Sequence, residues 1–188
     1  MEGAWIDPRL AAKLERIKLL ALDCDGVMAP LSIDTGVIMD LENAMKYHDR
    51  KFQYVVEIAR FNHRDGHGID LMKKAGIHVV VVTSQRSGYI DARCFKLGVP
   101  CLRVKDKRKE FADWLNQNYP EISMQEVCYM GDDINDIPLL KAVGFGATVA
   151  DAVDEAKKAA VCVTKKKGGE GAVREVCDLI LEAKGVRK

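Results

Sequence analysis

The stretch Lys18-Leu19-Leu20-Ala21-Leu22-Asp23-Cys24-Asp25-Gly26-Val27 runs from an unbroken apolar segment straight into two acids and a glycine. A short apolar run without polar alternation suits a strand buried on both faces, and such strands belong to parallel sheets. In those sheets ligands collect beyond the carboxyl ends of the strands, which is where Asp23 and Asp25 stand. Side chains two apart in an extended segment point the same way, so both carboxylates address one ligand if that geometry persists. Two acids held that close need a cation or a shared proton. Asp-x-Asp-Gly is also ordinary turn composition, and alone it does not separate a site from a bend.

Outward from this strand, short β-branched or apolar runs alternate with segments of helical period, the pattern of a doubly wound, Rossmann-like α/β fold with a parallel sheet. Strands are expected at Ile17 to Leu22, Ile77 to Thr83, Cys101 to Val104, Glu126 to Met130, Gly144 to Val149 and Ala160 to Val163. Helices are expected at Gly68 to Ala75, Gly88 to Leu97, Lys107 to Asn118, Asp136 to Val143, Val153 to Ala159 and Val173 to Ala183. Gly76, Gly98, Gly144 and Gly185 follow apolar-periodic stretches, as left-handed cap residues do. Between Met28 and Gly66 the alternation fails, leaving two β-prone pieces, Ile33 to Met39 and Phe52 to Phe61, around a polar middle, Glu42 to Arg50. This reads as a hairpin flap inserted at about 29–62 of a single domain spanning 1–188, with no separate cap domain.

The chain has 188 residues, 48% apolar and 30% charged, with 29 basic against 28 acidic residues. That balance offers no basic field for nucleic acid. No apolar run approaches the roughly 20 residues of a membrane helix. With no signal-peptide pattern and six scattered cysteines that form neither Cys-x-x-Cys pairs nor zinc spacing, the expectation is a cytoplasmic protein with reduced thiols.

Three more strand exits carry polar residues. Val127-Cys128-Tyr129-Met130 leads into Gly131-Asp132-Asp133-Ile134-Asn135-Asp136, and helix capping accounts for only some of those acids. Acids converging from two strands suit a hard cation, and Mg²⁺ takes a few carboxylates while leaving room for water and a phosphate. Val79-Val80-Val81-Val82 ends in Thr83-Ser84-Gln85-Arg86, a hydroxyl and backbone N–H groups suited to phosphate oxygens, although Thr after a valine run is also plain β-propensity. Lys107 opens a helix, against the preference of that end for acids, although by itself it is also ordinary surface charge.

In this order, Asp23-x-Asp25-Gly26-Val27, Thr83, Lys107 and Gly131-Asp132-Asp133 with Asp136 resemble the four motifs of the haloacid dehalogenase superfamily of Mg²⁺-dependent phosphotransferases. Phe61-Asn62-His63-Arg64-Asp65-Gly66-His67-Gly68-Ile69, Ala92-Arg93-Cys94 and Gly168-Gly169-Glu170-Gly171-Ala172-Val173-Arg174 are similar to its capless branch of sugar-acid phosphatases, those for 3-deoxy-D-manno-octulosonate 8-phosphate and 2-keto-3-deoxynonate 9-phosphate. The resemblance spans about Ile17 to Ala183. It implies an Asp23 nucleophile forming an aspartyl-phosphate, Asp25 as acid and then base, and Thr83 and Lys107 on the phosphoryl oxygens. It implies Mg²⁺ held by Asp23, Asp25 (through its carbonyl) and Asp132, with Asp133 and Asp136 behind them. Substrate contacts would come from Gly26, Asn62, His63, Arg64, Asp65, Gly66, Ser84 and Arg93. It further implies a homotetramer with sites at subunit interfaces, where the Gly168 to Ala172 loop covers a neighbour's site.

The chain departs from that branch at Gln85, with Arg86 displaced by one residue, at Asp70, at Ala29-Pro30-Leu31, and in a longer flap near Glu42 to Gln53. The leading expectation is a phosphatase for a small phosphorylated metabolite, above all a sugar-acid phosphate. Two others stand beside it: a noncatalytic oligomerisation module like that appended to acylneuraminate cytidylyltransferases, and a phosphoryl-transferring mutase.

Overall fold

A computed structural model describes residues 8–38 and 54–186. After helix α1 (Pro8–Glu15) come strand β1 (Leu19–Leu22), the pair β2 (Asp34–Ile38) and β3 (Tyr54–Ile58), and helix α2 (His63–Lys74). Then follow β4 (His78–Thr83), α3 (Gly88–Leu97), β5 (Cys101–Arg103), α4 (Lys107–Asn118) and β6 (Val127–Met130). A 3₁₀ turn at Met124–Glu126 precedes β6, and a second (Ile134–Asp136), α5 (Ile137–Ala142), β7 (Phe145–Thr148), α6 (Asp154–Ala159), β8 (Cys162–Val163) and α7 (Ala172–Ala183) complete the order.

Six strands form one parallel sheet in the order β5-β4-β1-β6-β7-β8. β1 is central and wholly buried, with Leu19 in register with His78 on one side and Val127 on the other. Helices cover both faces, as a sheet of such apolar strands requires. β1, β4 and β6 therefore deliver Asp23, Thr83 and Gly131 to one edge of the sheet. This is the doubly wound α/β architecture that the alternation predicted.

β2 and β3 pair antiparallel, Asp34 opposite Ile58, as the hairpin reading required. Its polar middle, Glu42 to Arg50, lies outside the described residues.

Three local expectations change. α2 begins at His63 rather than Gly68, because the Asn62 side chain accepts from the Arg64 N–H at 2.8 Å and caps the helix. Gly66 and Gly68 disguised that turn in the sequence, since glycine is a poor helix former. The expected helix from Asp136 is divided into a 3₁₀ turn and α5. Gly144 is not a left-handed cap: a Cβ there would stand 2.0 Å from the Gln125 carbonyl oxygen, so close backbone approach explains it. The helix α1 was not expected from the sequence.

Candidate active site

At the exit of β1 the chain stays extended only through Asp23, whose N–H donates to the Met130 carbonyl of β6. It then turns, and the Cys24 carbonyl accepts from the N–H groups of Met28 and Ala29. The two acids consequently part. Asp23 Oδ2 faces Lys107 Nζ at 2.8 Å, while Asp25 Oδ1 accepts from the Tyr89 hydroxyl at 2.8 Å. The other Asp25 oxygen, Oδ2, is buried without a hydrogen-bond partner.

Lys107 is the charge at the centre. Its side chain is 1% exposed and lies 2.6 Å from Asp136 Oδ1 as well as near Asp23. Burial pulls the ammonium's pKa down, yet the two facing carboxylates outweigh that and raise it. Asp136 is fully committed: Oδ1 also accepts from the Tyr129 hydroxyl at 2.6 Å, and Oδ2 takes the N–H groups of Asp132 and Asp133. It shapes the β6 exit from behind.

Oxygens of Asp23, Asp132 and Asp136 all lie within 4.8 Å of one another. Since the Asp136 oxygens are spent on other partners, the donors left for a cation are the Asp23 and Asp132 carboxylates and neighbouring backbone oxygens. Burial pushes the Asp23 carboxyl up to about 7 against the pull of Lys107, and burial with the nearby Asp136 charge pushes Asp132 to about 7. Both groups thus lack a full counter-charge, which a cation would supply. Gly26 fits the same picture: its φ is +80°, and a Cβ there would stand 2.0 Å from Asp132 Oδ2, so only glycine lets the acid lie against the β1 loop. An all-oxygen donor set of this kind suits a hard divalent metal.

Thr83 is buried at the end of β4, and its hydroxyl oxygen accepts the Gln85 N–H at 3.0 Å, while Ser84 beside it is exposed. Asn62, His63 and Arg64 sit at the start of α2, with His63 and Arg64 exposed. Arg93 is largely buried. Its guanidinium lies over the Phe61 ring at 4.9 Å and reaches toward the Asn62 carbonyl, above Gly66, where a Cβ would come within 3.0 Å. The structure therefore brings Arg93, Asn62 and Gly66 together. Asp65 points elsewhere: it is 1% exposed and accepts the Arg174 N–H at 2.8 Å, tying α2 to α7.

The Gly168 to Ala172 loop lies against this chain's own first motif. The Gly169 N–H donates to the Val27 carbonyl, and a Cβ on Gly168 would strike the Gly26 carbonyl oxygen at 1.8 Å. Tyr89 and Tyr129 are the participants that sequence reasoning missed. Tyr129 lies inside the apolar β6 run and carried no signal of its own; Tyr89 opens a helix that follows Ser87.

The family model for haloacid dehalogenase-like hydrolases matches residues 106–176. The 3-deoxy-D-manno-octulosonate 8-phosphate phosphatase of Salmonella typhimurium is 36% identical over 182 residues, 96% of this chain and 87% of that protein. The Escherichia coli K12 enzyme of the same name is 37% identical over 176 residues, 93% and 84% of the two chains. Among solved structures, the Yersinia pestis phosphatase of that name superposes with a TM-score of 0.82 at 31% identity, covering 98% of this chain and 92% of that one. The Moraxella catarrhalis phosphatase, solved with magnesium, phosphate and a KDO molecule, gives 0.79 at 29% identity, covering 94% and 92%. With its motifs assembled at one sheet edge and these relatives matched along nearly its whole length, the chain belongs to the haloacid dehalogenase-like hydrolases and is a phosphatase, a hydrolase of phosphoric monoesters.

Proposed function

We propose that this phosphatase hydrolyses a small phosphorylated sugar acid, of the 3-deoxy-octulosonate 8-phosphate or nonulosonate 9-phosphate type, with Mg²⁺ and through an aspartyl-phosphate. The observation that carries the reading is the Asp23 carboxylate at the exit of the central strand, held 2.8 Å from a buried lysine beside a second buried acid, Asp132. Relatives named for the octulosonate phosphate, one solved with magnesium, phosphate and KDO, support the substrate class and the metal.

An Asp23 oxygen attacks phosphorus, and the ester oxygen leaves with a proton from Asp25. Water then attacks the aspartyl-phosphate and gives its proton to Asp25, releasing phosphate and restoring both acids. Mg²⁺, held by Asp23, Asp132 and the Asp25 carbonyl, neutralises phosphoryl charge when bound. Lys107, Thr83 and the Gly26 and Ser84 N–H groups hold the phosphoryl oxygens. Asn62, His63, Arg64, Gly66 and Arg93 form the sugar-acid side, Asp65 ties α2 to α7 behind them, and Asp133 and Asp136 set the β6 loop. The tetramer is what the resemblance implies, and Leu31 and Ile58, 65% and 56% exposed beside and on the hairpin, are apolar surface that a further copy would cover. Six free thiols support a reducing, cytoplasmic setting. The noncatalytic reading is not favoured, because the acid and lysine set is complete.

A panel of sugar phosphates and sugar-acid phosphates tests the assignment by phosphate release with Mg²⁺. Selectivity for a sugar-acid phosphate is expected, and preference for a nucleotide or amino-acid phosphate would overturn it. Asp23→Asn is expected to abolish turnover; robust activity in that variant would sink the nucleophile.

A further inference from the structure

Asp25 is held from a helix that none of the four motifs includes. α3 begins at Gly88, and Ser87 stands at its cap position without making a capping hydrogen bond, although serine there usually does. Two residues on, the Tyr89 hydroxyl donates to Asp25 Oδ1 at 2.8 Å. The Tyr89 ring lies 6.4 Å from that of Phe61, over which the Arg93 guanidinium also sits. The Tyr89 hydroxyl, backed by an aromatic wall, thus meets Asp25. It occupies Oδ1 and leaves Oδ2 buried and unpartnered.

We propose that Tyr89 is the positioning residue for proton transfer in this phosphatase: by occupying Oδ1 it makes Oδ2 the oxygen that protonates the departing ester oxygen. This rests on Asp25 being the acid. As the P–O bond breaks, the bonding pair goes to the ester oxygen, which takes the proton from Oδ2; in the second half Oδ2 takes a proton from the attacking water. Tyr89 keeps its own proton throughout. A leaving alkoxide needs that proton, whereas a nitrophenolate leaves without it, so the effect of Tyr89 depends on the leaving group.

The test compares kcat/KM for the best sugar phosphate of the panel with that for p-nitrophenyl phosphate, in Tyr89→Phe, Tyr89→Leu and Asp25→Asn. Loss of one hydrogen bond to a carboxyl group predicts a fall of roughly ten- to hundredfold in Tyr89→Phe on the sugar phosphate and less than about twofold on the aryl ester. Tyr89→Leu, which removes the ring together with the hydroxyl, is expected to show at least as large a loss with the same selectivity. Equal losses on both esters, or none on either, overturn the proposal. Should Tyr89→Phe fail to fold, the Tyr89→Leu ratio decides by the same criterion. If Asp25→Asn itself shows no leaving-group dependence, the acid assignment has failed; if it does and Tyr89→Phe does not, only the role of Tyr89 has failed.

Discussion

Lys107 Nζ stands 2.8 Å from Asp23 Oδ2 with its own side chain almost wholly out of water, so a helix that starts beyond β5 sets a cation against the acid at the end of β1. The same ammonium reaches Asp136, and one cation holds two loops in place.

Removing that cation while keeping its stem, in Lys107→Met, leaves Asp23 and Asp136 facing each other in a dry site. Breaking a buried ion pair from one side costs about 3–5 kcal/mol. Urea unfolding is expected to show a loss of that order, and turnover is expected to fall at least about 10²-fold. A variant as stable and active as the parent would remove Lys107 from both roles.

Metal binding and pH are linked with a definite sign. Asp23 and Asp132 each titrate near 7 when folded, against an ordinary 3.8. Acids raised in this way contribute stability that is complete below their unfolded pKa and is lost as pH rises through the folded value, here from about 4 to about 7. The thermal midpoint of the metal-free protein should accordingly decline across that window. Added magnesium chloride should raise it more at about pH 8 than at about pH 5, and the apparent Mg²⁺ affinity should weaken by roughly ten- to hundredfold per pH unit below 7. Calorimetric scans with and without the metal measure both.

Gly26→Ala places a methyl against Asp132 Oδ2 and also strains a φ of +80°. Gly76→Ala has a similar φ, +76°, with nothing within 4 Å of the new carbon. The second variant is expected to lose only the left-handed strain, about 1–2 kcal/mol. The first should lose more, together with metal affinity by titration; equal effects would mean that crowding against Asp132 is unimportant.

Arg93 offers a planar, forked cation beside Asn62 and Gly66, stacked on Phe61. Lysine cannot reproduce that fork. Arg93→Lys is expected to raise KM for a sugar-acid phosphate about tenfold and leave p-nitrophenyl phosphate within about twofold, as steady-state assays would show.

Much of this molecule is legible in its sequence because the informative residues lie at strand ends. The run Leu19 to Leu22 needs burial on both faces, and that requirement places Asp23 at the sheet edge before any coordinates are consulted. Lys107 and Asp132 follow from the same logic applied to β5 and β6. Side-chain pairings across distant elements were not legible. That Asp25 turns from Asp23 toward Tyr89 depends on the bend after Cys24, and that Asp65 bonds α7 depends on how closely two helices pack. Gly66 and Gly68 hid the first turn of α2, where tertiary packing overrides propensity.

The Gly169 N–H on the Val27 carbonyl joins the first motif to a loop near the other end of the chain. In chain order β1 precedes its neighbours β4 and β6 and this closing loop. A ribosome-bound chain therefore carries its nucleophile on an apolar strand with no partners, and the catalytic pocket is among the last things to be completed. The contacts that complete the pocket are therefore long-range in sequence, the class whose loop closure slows folding.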